Sequence, residues 1–415
     1  MNVLVIAQYF PPDMGGGATR AYNVAKGLVS NGCEVTVVAA FPHYPKGHIP
    51  EKYRWKPLSV EHMDGFKVFR TLVPPLASEG IFKRVLLFLS FAVSSLFALP
   101  FVGRVNVVWA ANPNIISVFP SLVYSFWKRC PLVQNVDDLW PESLYDLGMS
   151  RRSMFGRLGE FLARIAYKVS SAITPISPGY VKVICGKYGV NHEKVHVIRA
   201  GVDLGKFDLN CKFDSDKKVF TVLYTGAFSL AYDFDQVLLA AKKLENVDDV
   251  EFVLQGGGEL VGRLEDKVKR WKLRNVKIVD RIVSRDEVAK LLAEADALIL
   301  PLRDFGAPYL GLSSKLYEYQ AAGKPIICCS SGQPGCYVSE TESGIVVKPG
   351  DYEALAKAIL YLRENRGIAE RLGASGRRYV ENNLSIEKIS LKMMAVFNNI
   401  LRNSSRIHEA EQQAT

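Results

Sequence analysis

The chain has no C-x-x-C pair, and its seven cysteines are an odd number; neither a disulfide framework nor a cysteine zinc site organises it. Cys328 and Cys329 stand side by side in an apolar run and read as buried thiols of a reducing compartment. The G-x-G-x-x-G fingerprint is missing as well, which disfavours a resident dinucleotide cofactor. Met1 leads straight into Val3-Leu-Val-Ile-Ala7 with no basic region and cleavable apolar core, so no secretory signal is expected. Basic residues are plentiful, but no aromatic-interleaved groove motif accompanies them, and nucleic-acid binding is disfavoured. Only the end of the chain, Asn403 to Thr415, is polar and aperiodic enough to read as a flexible tail.

What is present belongs to a folded protein of more than one core. At 415 residues, with 48% apolar and 23% charged residues, the chain is long enough for two domains. The net charge of +10 is concentrated, with a local excess of +7 between Ser150 and Lys206. Such a patch favours anions: phosphate groups or an acidic membrane surface.

Short apolar runs alternate with helical patterns, which predicts a doubly wound α/β architecture. The first run is followed by Gly15-Gly16-Gly17-Ala18 and Arg20, then a helix pattern. Gly16 and Gly17 either let the backbone approach a phosphate or form a flexible loop. His43, in Phe41-Pro-His-Tyr-Pro-Lys-Gly47, leaves the second strand at its carboxyl end and is either a ligand contact or a loop histidine. Asp137, Asp138 and Trp140 follow the run Pro131 to Val136. The carboxylates there suit orienting sugar hydroxyls, acid/base work or capping the next helix, while a metal pair lacks a third ligand. Further strands are expected at Ala172 to Ser177 and Val195 to Ile198, and the stretch Gly201 to Lys218 reads as a linker. The second half repeats the pattern, with Gly226 and Gly257 at strand ends.

The most informative stretch is Pro301 to Ile327. A strand ends at Pro301; Leu312, Ser313 and Ser314 form a turn and cap, Lys315 sits in the first helical turn, and Gly323 stops the helix. A helix start with an added ammonium is a diphosphate site in outline. Glu318, one turn on, could accept hydrogen bonds from two vicinal hydroxyls, although an ordinary capped helix has the same spacing.

Val85 to Val102 is eighteen residues without a charge, flanked by Lys83-Arg84 and Arg104. It reads as a domain helix that dips into a bilayer surface, as a purely internal helix, or as a span. From Arg151 to Val169, Phe155, Leu158, Leu162, Ile165 and Val169 share one helical face, with Arg157, Arg164 and Lys168 beside it. This basic amphipathic pattern also suits anionic lipid.

Taken in order, these motifs give the chain a family. It resembles the retaining glycosyltransferases of family GT4 with the GT-B fold, in the branch that builds surface polysaccharides and lipid-linked glycans. The resemblance rests on Gly15 to Arg20, Phe41 to Gly47, Asp138-Leu-Trp-Pro-Glu-Ser143, Ala200-Gly-Val-Asp203 and above all Ser314-Lys-Leu-Tyr-Glu318-Tyr-Gln-Ala-Ala-Gly323-Lys-Pro325. It implies two Rossmann-like domains facing across a cleft, 1–205 on the acceptor side and 206–383 on the donor side. A helix over 384–401 would pack back on the first domain, with a flexible tail over 402–415.

The implied reaction moves a sugar with retention from a nucleotide sugar, UDP-linked, to a lipid-linked or glycan acceptor. The protein would be peripheral at the cytoplasmic face of the cell membrane, attached through 85–102 and 151–169. It would need neither metal nor cofactor, the nucleotide sugar being a co-substrate. The resemblance assigns Asp138, Lys315 and Glu318 to catalysis. It gives the donor Gly16, Gly17, Gly226, Gly257, Leu312, Ser313, Ser314, Lys315 and Glu318, and the acceptor side Arg20, His43 and Trp140. A non-catalytic nucleotide-sugar-binding subunit and a nucleotide-sugar epimerase are the alternatives. Three departures stand out: Leu310 where many relatives carry a second Glu, Asp137 where several carry a catalytic His or Arg, and no Arg and Lys pair in Gly226 to Asp235.

Overall fold

The computed structural model describes the chain apart from residues 45–46, 55, 77–80, 112–114, 147, 208–216, 306–308 and 414–415, and apart from the side chains of 81, 146 and 404–413. It consists of two compact units, Met1–Gly201 with Ile386–Thr415, and Val202–Ser385. The changeover expected at 205 falls at Gly201. Half of the expected linker, 208–216, lies outside the described residues, as do Pro45 and Lys46 of the His43 motif.

The first unit contains β1 (Asn2–Ala7), α1 (Gly16–Ser30), β2 (Glu34–Ala40), β3 (Leu58–Met63), β4 (Phe66–Thr71), α2 (Ile81–Ser94), β5 (Val107–Ala110), α3 (Val118–Lys128), β6 (Leu132–Val136), α4 (Glu142–Asp146), α5 (Met154–Val169), β7 (Ala172–Pro175) and α6 (Pro178–Gly186). Its sheet has the order β3-β4-β2-β1-β5-β6-β7. β1, β5 and β6 are apolar or uncharged throughout and buried along most of their length, as befits parallel strands covered on both faces. Only β3 runs antiparallel, hairpinned to β4 at the edge. This hairpin is absent from the sequence reading, because His62, Glu61 and Lys67 break its apolar pattern. The strand expected at Val195 to Ile198 reduces to one bridge, Val195 to Ile173.

The charge-free segment is not one continuous α-helix. α2 ends at Ser94 and a tighter three-ten stretch runs from Ser95 to Phe101 across Pro100, because proline cannot donate the next helical hydrogen bond. Its inner side, Leu87, Phe88 and Phe91, is buried in the unit, while Leu86, Leu89, Val93, Phe97 and Phe101 are exposed. In α5 the small residues Gly156, Ala163 and Ala166 face the core with Tyr167. Met154, Phe155, Leu158 and Phe161 point outward, with Phe161 at 59% exposure.

The second unit contains β8 (Phe220–Ala227), α7 (Phe234–Lys243), β9 (Val250–Gly257), α8 (Val261–Trp271), β10 (Val276–Asp280), α9 (Arg285–Glu294), β11 (Ala297–Pro301), α10 (Ser314–Ala321), β12 (Ile326–Cys329), α11 (Gln333–Glu340), β13 (Gly344–Val347), α12 (Tyr352–Glu364) and α13 (Arg366–Asn383). Its six strands are all parallel in the order β10-β9-β8-β11-β12-β13. The order reverses between β8 and β11, and in the first unit between β1 and β5. Crevices at the carboxyl ends of strands beside such reversals are where α/β sheets take ligands.

α14 (Ile386–Gln413) closes the chain and belongs to the first unit. It lies against α1 at Gly27, where a Cβ would come within 2.6 Å of the Ile386 carbonyl oxygen, and Asn31 Nδ2 donates to Ser390 Oγ. The helix runs twelve residues past the expected end at 401, so the stretch expected as a flexible tail is helical as far as Gln413. Strong helix formers such as Ala, Glu, Gln and Arg carry a helix forward without an apolar stripe.

Candidate functional site

α10 begins where β11 has left the sheet at its reversal point. The Ser313 hydroxyl caps it by accepting from the Lys315 N–H. Gly323, at φ +68, and Pro325 stop it. Leu316, Tyr317, Tyr319 and Gln320 are buried. Gln320 bonds Thr341 and Ser343 through Nε2 and accepts from the Tyr337 hydroxyl. With that side anchored, Lys315 and Glu318 occupy the remaining face, half-buried and one turn apart. Leu312 is buried beneath the turn, and Ser313 and Ser314 are partly open.

The end of β8 is shaped around Lys315. Gly226 has φ +138, a conformation that favours glycine, and a Cβ there would lie 2.3 Å from Lys315 Cε, so a side chain at this position would displace the lysine. Gly226 faces Gly256 in register and Ala227 faces Gly257, and the two strands pack so closely there that a Cβ on Gly256 would lie 1.8 Å from the Gly226 carbonyl oxygen. Lys315 Nζ lies 5.7 Å from the centre of the Tyr224 ring and 5.3 Å from that of Tyr232. Glu318 Oε1 accepts from Arg285 at 2.7 Å, at the start of α9. Arg285, Tyr224 and Tyr232 escaped the sequence reading; their approach to α10 depends on strand order.

In the first unit, α1 begins at Gly16 behind a Gly15 cap, with Gly16 exposed and Gly17 partly open. No carboxylate occupies its first turn, so the helix start keeps its positive potential. Arg20 is buried: it pairs with Asp137 at 2.8 Å and donates to Asn135 Oδ1 and the Ile198 carbonyl. His43 is buried too, stacked on Tyr9. Its Nδ1 donates to the Phe41 carbonyl, and burial lowers its pKa below the ordinary imidazole value. Asp13, which the sequence reading passed over, accepts from the His43 and Tyr44 N–H groups. Burial pushes its carboxyl up to about 7 despite those bonds. The side chains expected on the acceptor side thus divide. Arg20 and His43 lie inside the frame, whereas Asp138 is open to solvent and Trp140 partly so. Although the Asp138 side chain reaches solvent, the protein packed closely around its loop partly desolvates the carboxyl, and together with the neighbouring Asp137 carboxylate this raises it to about 6.

The Asp138 loop is gripped from two sides. Phe88 of α2 meets Trp140 edge-on at 6.2 Å. On the other side, a Cβ on Gly159 of α5 would lie 3.0 Å from Pro141. α2 and α5, both with apolar outer faces, therefore carry this loop between their inner faces.

Known proteins share both halves of this arrangement. Residues 14–206 match the family model Glycosyltransferase Family 4, and residues 208–379 match Glycosyl transferases group 1. WcaI of Escherichia coli K12, a glycosyl transferase assigned to colanic acid biosynthesis, is 26% identical over 94% of this chain and 98% of its own length. Among solved structures, a sucrose-phosphate synthase from Thermosynechococcus elongatus superposes with a TM-score of 0.77 at 17% identity, over 97% of this chain and 99% of that one. Anabaena HepE in complex with UDP gives 0.69 at 16% identity, over 96% and 100%. The matched models account for both units, and the chain belongs to the GT4 family of glycosyltransferases with the GT-B fold.

Proposed function

We propose that this glycosyltransferase moves a sugar, with retention of configuration, from a UDP-linked donor to a lipid-linked or glycan acceptor at the inner face of the cell membrane. The observation that carries the donor side is the Lys315 and Glu318 pair on the open face of α10, beside the glycines that end β8 and β9. As the glycosidic bond breaks, negative charge develops on the departing diphosphate. Lys315 and the first amides of α10 stabilise that charge, which is the preorganised electrostatic role a metal fills elsewhere. Glu318 accepts the ribose hydroxyls, sharing its carboxylate with Arg285. Gly226, Gly257 and Leu312 let the backbone approach, and Ser313 and Ser314 complete the turn. HepE, the UDP-bound structural neighbour, supports a uridine donor.

On the acceptor side, Asp138 is the accessible carboxylate, ionised above pH 6 and suited to orient a sugar hydroxyl. Gly16 and Gly17 supply an anion-compatible helix start, and Trp140 offers a face for a sugar ring. The lipid part rests on α2 and α5, whose outward faces are apolar and are flanked by Lys83, Arg84, Arg157, Arg164 and Lys168.

The test is a panel of UDP-, GDP- and ADP-sugars offered to the purified protein with lipid-linked sugar acceptors, reading nucleotide release and product anomer. UDP release that depends on acceptor and gives a retained linkage is expected. Glu318→Ala should lower kcat/KM by roughly 100-fold at unchanged melting temperature, from the loss of charge-assisted hydrogen bonds. Conversion of the donor without acceptor would instead mean an epimerase, and no release with any donor would sink the proposal.

A further inference from the structure

The segment Gly226 to Asp235 contains no basic residue, so on the donor reading above it cannot meet a diphosphate with charge of its own. What it contributes is aromatic. Tyr224 and Tyr232 meet edge to face at 5.4 Å, and Phe234 packs on Tyr224 at 4.9 Å. Tyr224 is fully buried and its hydroxyl donates to the Ala227 carbonyl at 2.7 Å. Tyr232 is fixed to the sheet by a bridge to Leu302. Both rings turn toward one ammonium, that of Lys315, at 5.7 and 5.3 Å, while Gly226 clears its path. Among the described residues no carboxylate forms an ion pair with Lys315.

A ring face attracts a cation without neutralising it, unlike a carboxylate. Lys315 is thereby held in place while its charge stays available to an anion. An acidic partner would fix the side chain equally well but would oppose a phosphate. We infer that Tyr232, supported by Tyr224, is a positioning residue of the donor site. It forms an aromatic seat that aims the Lys315 ammonium at the donor's diphosphate and so replaces the missing basic side chains of this segment. The inference rests on the donor reading and adds to it a residue that touches no substrate and acts through Lys315.

The experiment compares wild type, Tyr232→Leu and Tyr232→Phe in the full chain. Titration calorimetry is run with UDP, GDP and ADP and, separately, with uridine, guanosine and adenosine. Removing the ring should weaken binding of the preferred diphosphate by roughly 5- to 30-fold while affinity for its nucleoside stays within twofold of wild type. Phenylalanine, which keeps the ring, should restore the diphosphate affinity, and all three proteins should melt within a few degrees of one another. A leucine variant that binds the diphosphate as wild type does overturns the seat. So does one that loses nucleoside and diphosphate equally, since that pattern reports a distorted site, and so does a phenylalanine variant as weak as leucine. Wild-type protein that binds none of the three diphosphates overturns the donor reading, and the seat with it.

Discussion

Asp13 shows how one side chain can set a pH dependence without taking part in the reaction. Its Oδ1 ties the loop after β1 to the loop after β2 through the His43 and Tyr44 N–H groups, and burial raises its carboxyl from the ordinary 3.8 to about 7. Between those values the folded protein binds a proton that the unfolded chain has released. Stability therefore falls as pH rises through this window and stays reduced above it. Asp13→Asn keeps the accepting oxygen and removes the charge. The variant should be more stable than wild type by up to about 4 kcal/mol at pH 8, with the gap closing by pH 4, as read from denaturation midpoints. A gap of equal size at both pH values would refute this account. Sequence alone reached Lys315 and Glu318, because residues three apart on a helix share a face whatever surrounds it. It could not reach Arg285 or Tyr232, which meet them only after β8, β9 and β11 have aligned.

At the level of elements, periodicity marked α5 as amphipathic but left open which way it faces. A helix with small residues on one side and large apolar ones on the other can bury either. Here Gly156, Ala163 and Ala166 allow close packing, and the bulky side is outermost. α3 repeats the feature, with Phe126 86% and Trp127 67% exposed beside Lys128 and Arg129. Clustered exposed apolar side chains are a feature of interaction sites. Leu158→Glu with Phe161→Glu should leave folding unchanged, since both side chains are exposed. The pair should lower partition onto phosphatidylglycerol-containing vesicles by about 10-fold or more. Cosedimentation gives the reading, and unchanged partition would remove α5 from the membrane proposal. Strand positions were mostly legible because buried parallel strands are short apolar runs. The β3–β4 hairpin was not, since an edge strand carrying charge loses that signature.

For the molecule as a whole, the chain does not finish in its second unit. After α13 it returns as α14 to the first, so the fold of that unit depends on residues nearly four hundred positions apart. The close approach at Gly27 makes this testable. Gly27→Val would press on the Ile386 carbonyl and Ser390 and should destabilise the protein by about 1–3 kcal/mol, whereas Gly262→Ala, where a Cβ meets open space, should not. Equal melting of both variants would show that α14 yields to the extra carbon. The sequence by itself determined the alternation of strands and helices, the position of the capped helix at Ser313, and the family. These depend on local periodicity, on capping chemistry and on motifs read in order. Tertiary structure alone decided that Arg20 and His43 are buried, that α5 turns its large side chains outward, and that two tyrosines hold the one ammonium at α10. Each of these is a contact between residues far apart in the chain, fixed by strand order and by which face of an element the core accepts.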